Sequence, residues 1–105
     1  MRENQVAAGT VTGTGAAINV VLGFTPRYVE VVNVASGGRV TAKWFQWMAA
    51  ASAVKQAAAG TTSVITSNGI SEYAGSAGVE SKGFTIGADT DLNVSGEAMY
   101  YIALA

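Results

Sequence analysis

Hydrophobic and polar side chains alternate in steps of two over much of the chain. Ile18, Val20 and Leu22 are interleaved with Asn19, Val21 and Gly23, and a second run extends from Tyr28 to Val34. A period of two with many β-branched residues predicts strands. Pro26, the only proline, falls between these runs, where its missing N–H interrupts no ladder. Ser36, Gly37 and Gly38 predict a turn into a further strand over Val40 to Met48, since glycine accepts the positive φ of tight hairpins. Residues 6–17, VAAGTVTGTGAA, carry nothing bulky and read as an extended arm or an edge strand.

The middle of the chain supports two readings. Met48 to Ala59, MAAASAVKQAAA, followed by Gly60, has the propensity of a helix with a glycine C-cap. The extended alternative is preferred, with Val54, Lys55 and Gln56 pairing with Thr62 to Thr66, and the helix stays open. Ser67, Asn68 and Gly69 predict a hairpin turn with Ile70 to Tyr73 returning, and Ala74 to Ser81 reads as a loop. The C-terminal stretch, Lys82 to Ala105, reads as two strand-like runs around a polar, turn-rich connection. These elements predict an all-β, single-domain antiparallel β-sandwich of about seven to eight short strands. Residues 1–17 form an N-terminal arm in this reading and residues 18–105 the sandwich.

Composition narrows the function classes. The 105 residues include no His and no Cys, and only 12% are charged. Disulfides and thiolate metal sites are thereby excluded. No run approaches the roughly 20 apolar residues of a membrane span, and MRENQVAAGTVTG lacks the apolar segment of a signal peptide. Synthesis in a cytoplasm, without a membrane partner, is the expectation. The net charge is −1, and Arg2, Arg27, Arg39, Lys43, Lys55 and Lys82 are scattered. A nucleic-acid binder concentrates such residues on one face. So few charges, with so much Ala, Gly, Ser and Thr, predict a surface that lies against other protein in an oligomer.

Candidate chemistry is sparse. A hydroxyl nucleophile needs a base, and without His the only amines are Lys43, Lys55 and Lys82, none beside a distinctive serine motif. Glu30, Glu72, Glu80, Glu97, Asp89 and Asp91 supply carboxylates, but nothing in the sequence pairs two of them as glycoside hydrolysis requires. Asp89 and Asp91 in GADTDLN resemble a fragment of a calcium loop without its downstream Glu, and a turn is favoured. GTVTGTG lacks the Lys-Ser/Thr ending of a phosphate loop. No enzyme activity and no cofactor are expected.

In WFQWM, strand alternation would place Trp44, Gln46 and Met48 on one face and Phe45 and Trp47 on the other. One face of a sandwich strand meets the core, so the opposite aromatics need a loop, a subunit or a sugar ligand to cover them. Trp44, Phe45, Trp47, Met48, Tyr100 and Tyr101 are the candidate interface residues.

The ordered series GFTPRYVEVVNV (23–34), KWFQWM (43–48), TTSVITSNGI (61–70) and GFTIGADTDLNVSGEAMYYIALA (83–105) resembles small tailed-bacteriophage virion proteins of the capsid decoration, or cement, type. The resemblance runs from Gly23 to the end of the sequence. It implies a β-sandwich homotrimer on the capsid exterior that bridges major capsid protein subunits. In that setting Arg2, Glu3, Asn4, Gln5 and Val6 would form a capsid-contact arm. The second reading is a tail- or fibre-associated, H-type-lectin-like module, in which Trp44, Trp47, Tyr100 or Tyr101 would stack on sugars and several weak sites would act together.

Overall fold

The computed structural model describes residues 5–35, 40–75 and 81–105. Eight antiparallel strands make one sheet: β1 (Val6–Thr12), β2 (Ile18–Val21), β3 (Tyr28–Asn33), β4 (Val40–Phe45), β5 (Ser52–Gln56), β6 (Thr62–Tyr73), β7 (Gly83–Ile86) and β8 (Ala98–Leu104). Their spatial order is β1-β8-β3-β4-β5-β6-β7-β2. The all-β, antiparallel expectation holds, whereas the two-sheet sandwich is replaced by one strongly curled sheet, a half-barrel.

Alternation explains how one sheet makes its own core. On β3, Val29, Val31 and Asn33 point into the concave side and are buried, while Tyr28, Glu30 and Val32 point out. Val40, Ala42 and Trp44 do the same on β4, and Met99 and Ala103 on β8. Across the curl these meet Ala53, Ile70, Phe84 and Ile86 from β5, β6 and β7. Phe84 packs edge-on against Tyr101, with ring centroids 5.4 Å apart and planes at 68°. The opposite wall is thus the far half of the same sheet.

The sheet turns its corner on β6. Ala53 pairs with Ile65 but Ser52 pairs with Ile70, so residues 66–69 form a bulge. Asn68 adopts φ 60°, and Gly69 lies so close to β5 that a Cβ there would sit 2.5 Å from the Ser52 carbonyl oxygen. The predicted hairpin turn at Ser67–Gly69 is therefore a bulge within one 12-residue strand. Ile70 keeps Ser52 of β5 on one side, and residues Ile70–Tyr73 pair with β7 on the other instead of folding back on Thr62–Thr66. Bulges bend and twist a strand, which is what a closing sheet needs.

The helix reading of Met48–Ala59 is not realised, and Val54, Lys55 and Gln56 pair with Val64, Ser63 and Thr62 as the extended reading expects. Of residues 6–17, Val6–Thr12 are an edge strand, paired to β8 along its length. The connection to β2 is pinned by Asn93, which is 1% exposed. Its Oδ1 accepts from the Thr14 and Gly15 amides, and its Nδ2 donates to the carbonyls of Ala16 and Gly87. The expected turn at 36–38 and most of the 74–81 loop lie outside the described residues.

Candidate functional site

The convex face of the half-barrel is the surface on which this chain places its unusual side chains. Strand register sets them in rows. Val6, Leu104, Tyr28 and Phe45 lie opposite one another across β1, β8, β3 and β4. The next row runs Ala8, Ile102, Glu30, Lys43, Val54 and Val64, and the third begins Thr10, Tyr100, Val32. Val6, Phe45, Tyr100, Ile102 and Val64 are all exposed. Tyr28 and Phe45 contact through their rings at 5.1 Å. Val64 stands apart beyond Glu30 and Lys43, and single exposed apolar residues are ordinary, but Val6, Phe45, Tyr100 and Ile102 on neighbouring strands make this face the candidate contact surface.

Trp47 extends this surface at one end. Strand alternation stops at Phe45, where the Met48 amide donates to the Phe45 carbonyl at 2.8 Å and closes a turn. The turn throws Trp47 outward, 80% exposed, and folds Met48 back against the core. The sequence candidates therefore divide. Phe45, Trp47 and Tyr100 are on the surface; Trp44, 2% exposed, is in the core; Tyr101 faces inward against Phe84. Val6 and Gln5 sit at the sheet edge, where the Gln5 carbonyl accepts from the Ala105 amide. Arg2, Glu3 and Asn4 lie outside the described residues. The sequence reading missed Ile102, Val6 as part of a face, and Val64; their outward register could be counted from strand parity once β8 and β6 were aligned.

Within the apolar rows, Glu30 and Lys43 face each other in register. The Tyr28 hydroxyl donates to Glu30 Oε1 at 3.0 Å. Burial, then this bond and the Glu30 charge, push the Tyr28 phenol up to about 12 from 10.0. Its folded pKa lies above its unfolded value, so the folded state keeps a proton that the unfolded chain releases. The associated stability is complete below pH 10 and is lost as the pH rises towards 12. Tyr28→Phe is expected to remove the part of the tyrosinate absorbance change centred near pH 12 and to flatten the alkaline fall in melting temperature. Loss of a part centred near pH 10.0 instead would contradict the Tyr28–Glu30 bond.

The acidic residues of GADTDLN form a closed structural device. Asp89 Oδ1 accepts from the amides of Asp91 and Leu92, which makes the turn, and both Asp89 oxygens contact Lys55 Nζ at 3.0 Å. Asp91 reaches the same ammonium at 2.9 Å. Burial alone would lower the Lys55 pKa, but the hydrogen bonds its ammonium donates to Asp91 and Asp89, with their charges, outweigh it and the net shift is upward. Both carboxylates are thus turned to the Lys55 ammonium, and among the described residues no group of three or more His, Cys, Asp or Glu is assembled for a metal.

Beside this cluster a cleft of about 390 Å³ opens between Ala57–Ala59 and Asp91–Glu97, with Asn33 at its base. Asn33 is already committed: its Nδ2 donates to Leu92 O and Glu97 Oε1, and its Oδ1 accepts from the Ala35 amide. Glu30, Glu97 and the Asp89–Asp91 pair are thus each engaged separately, and Glu80 lies outside the described residues. Neither family models, nor curated proteins, nor solved structures give a match to this chain.

Proposed function

We propose that this chain is a structural virion protein of a tailed bacteriophage, decorating the capsid exterior as a homotrimer and bridging major capsid protein subunits. The observation that carries the reading is the apolar convex face, where Tyr28, Phe45, Tyr100 and Ile102 stand on the sheet and Trp47 projects from the turn at the end of β4. Large amphipathic rings anchor protein interfaces because they bury much area at little entropic cost. Phe45 and Trp47 would make the subunit contact, and the β1 end with residues 2–6 would meet the capsid. The resemblance in sequence to decoration proteins points the same way. Mechanically the protein acts by adhesion, with many modest contacts held together by the oligomer.

The test is the copy number of this chain in purified virions, measured by quantitative mass spectrometry against the major capsid protein. About one copy per capsid subunit supports head decoration, and absence from the particle removes the virion reading. A handful of copies moves the chain to the tail. That result favours the second reading, a glycan-binding module, for which the 80% exposed Trp47 indole is the specific support. A glycan array would then decide it.

A further inference from the structure

The curled sheet is open, and its two edges are unequal. β2 has four residues, whereas β1 has seven, VAAGTVT, with no charge, proline or bulge in the strand. Proteins ordinarily guard long edges with such features, because unpaired N–H and C=O groups recruit another strand. Register identifies which groups on β1 are free. The Ala105 amide bonds Gln5 O and the Gly13 amide bonds Glu97 O, both in the β1–β8 register. Hydrogen-bonded pairs alternate along an antiparallel ladder, so Ala7, Gly9 and Val11 direct their backbone to β8. Val6, Ala8, Thr10 and Thr12 direct theirs away from it, and among the described residues no strand pairs with that side.

We infer that β1 pairs antiparallel with β1 of a second copy of this chain, about a two-fold axis at Gly9, joining two half-barrels into one continuous sheet. This occupant is favoured because the edge is complementary to itself. With the axis at Gly9, Ala8 of one copy lies opposite Thr10 of the other, and Val6 lies opposite Thr12. All four residues whose backbone is free therefore fall in hydrogen-bonded pairs at once. Gly9 then meets Gly9 in a non-hydrogen-bonded pair, where facing residues approach most closely, at about 4.5 Å between Cα atoms. Its missing side chain suits that position, and inside the barrel the Tyr101 hydroxyl already lies 2.9 Å from where a Cβ would be.

The pairing also continues the convex face, since Ile102 neighbours Ala8 and Tyr100 neighbours Thr10 in register. The two apolar faces merge across the axis. By the same parity β2 offers only Asn19 and Val21 on its open side, because Leu22 and its register mates bond β7. β1 against itself is the longer ladder. A contact of this kind is isologous and separate from the Phe45–Trp47 subunit contact: beside a three-fold contact it would pair two trimers, with Val6 in the seam and not on the capsid, and its existence does not depend on the virion reading.

The experiment is residue-resolved amide exchange on the intact chain across a concentration series, with mass measured in parallel by sedimentation. The amides of Val6, Ala8, Thr10 and Thr12 are expected to slow at least tenfold as the mass doubles. Ala8→Pro deletes an outward-facing N–H without removing a β1–β8 bond, and should return the lower mass. Thr10→Lys, which leaves the backbone untouched but places a charge in the seam, should do the same if the proline variant fails to fold. The inference is overturned by solvent-like exchange of these four amides at every concentration, or by a particle whose mass neither variant changes. Joint protection of Asn19 and Val21 would also overturn it, since β1 would then pair with β2 of the next copy. Failure of any of these leaves the virion copy number untouched, so the two ideas fall separately.

Discussion

Trp44→Ala is expected to destabilise the fold by about 3–5 kcal/mol, the cost of truncating a large buried aromatic. Trp44 is 2% exposed in the core, opposite Val29 on β3 and among the largest buried side chains. Truncation removes its contacts and leaves a void that collapses only in part, because the Trp44 backbone is paired to Val29 of β3 and the preceding residue, Lys43, is paired on both sides, to Glu30 and Val54. Native domains have only about 5–15 kcal/mol in hand, so the variant should lose most of its margin. Trp44→Phe, which keeps a ring in the site, provides a folded intermediate case. Trp47→Ala, three residues away but outside, should change the unfolding free energy by no more than about 0.5 kcal/mol. Under the proposed trimer, its effect belongs in the mass of the particle. Urea denaturation at several protein concentrations separates the two, because only the association contribution depends on concentration. Equal losses for the two tryptophans would contradict this placement.

Asp89→Ala is expected to cost about 3 kcal/mol, the low end for breaking a buried ion pair. The carboxylate holds Lys55 and at the same time accepts from the Asp91 and Leu92 amides, so its loss weakens the ion pair and orphans two N–H groups together. The remaining Asp91 contact keeps the cost from being larger. Asp91→Ala removes a side chain that is 59% exposed and should cost at most about 1 kcal/mol. The pair of variants distinguishes a turn built on Asp89 from one held by the summed charge of both residues. Equal effects would mean the latter. Because the Lys55 pKa is raised in the folded state, the stability it contributes is complete below the ordinary lysine range and is lost as the pH climbs through the folded value.

Much of the sheet was legible because period-two alternation reports the two faces of a strand directly. Val29, Val31, Ala42 and Trp44 are inward, as their spacing requires, and Val54–Gln56 pair with the segment expected of them. Alternation is blind, however, to what lies across the core. A sandwich and a single curled sheet bury the same parity of residues, and the difference rests on the bulge at residues 66–69. There the local signal, a left-handed Asn before Gly, is common to hairpin turns and bulges. The outcome is settled by a distant bond, the Gly87 amide to the Gly69 carbonyl. The convex site was half legible for a similar reason. Phe45 follows from parity, but Trp47 and Met48 part company only because the strand stops at Phe45, and Trp44 reads as an interface candidate until its burial is known.

The order of the strands governs how the chain can assemble. β3 to β7 follow one another both in sequence and in the sheet, so that meander can form from neighbouring segments. β8, the last strand in sequence, must then insert beside β3 before β1, the first, has anything to pair with. Pairings between such distant segments are slow, on the millisecond-to-second scale. During that interval β3 presents an unfilled edge and β8 is unattached. A β8 from a neighbouring molecule fits the vacancy as well as its own, so the share of strand-exchanged chains should rise with protein concentration during refolding.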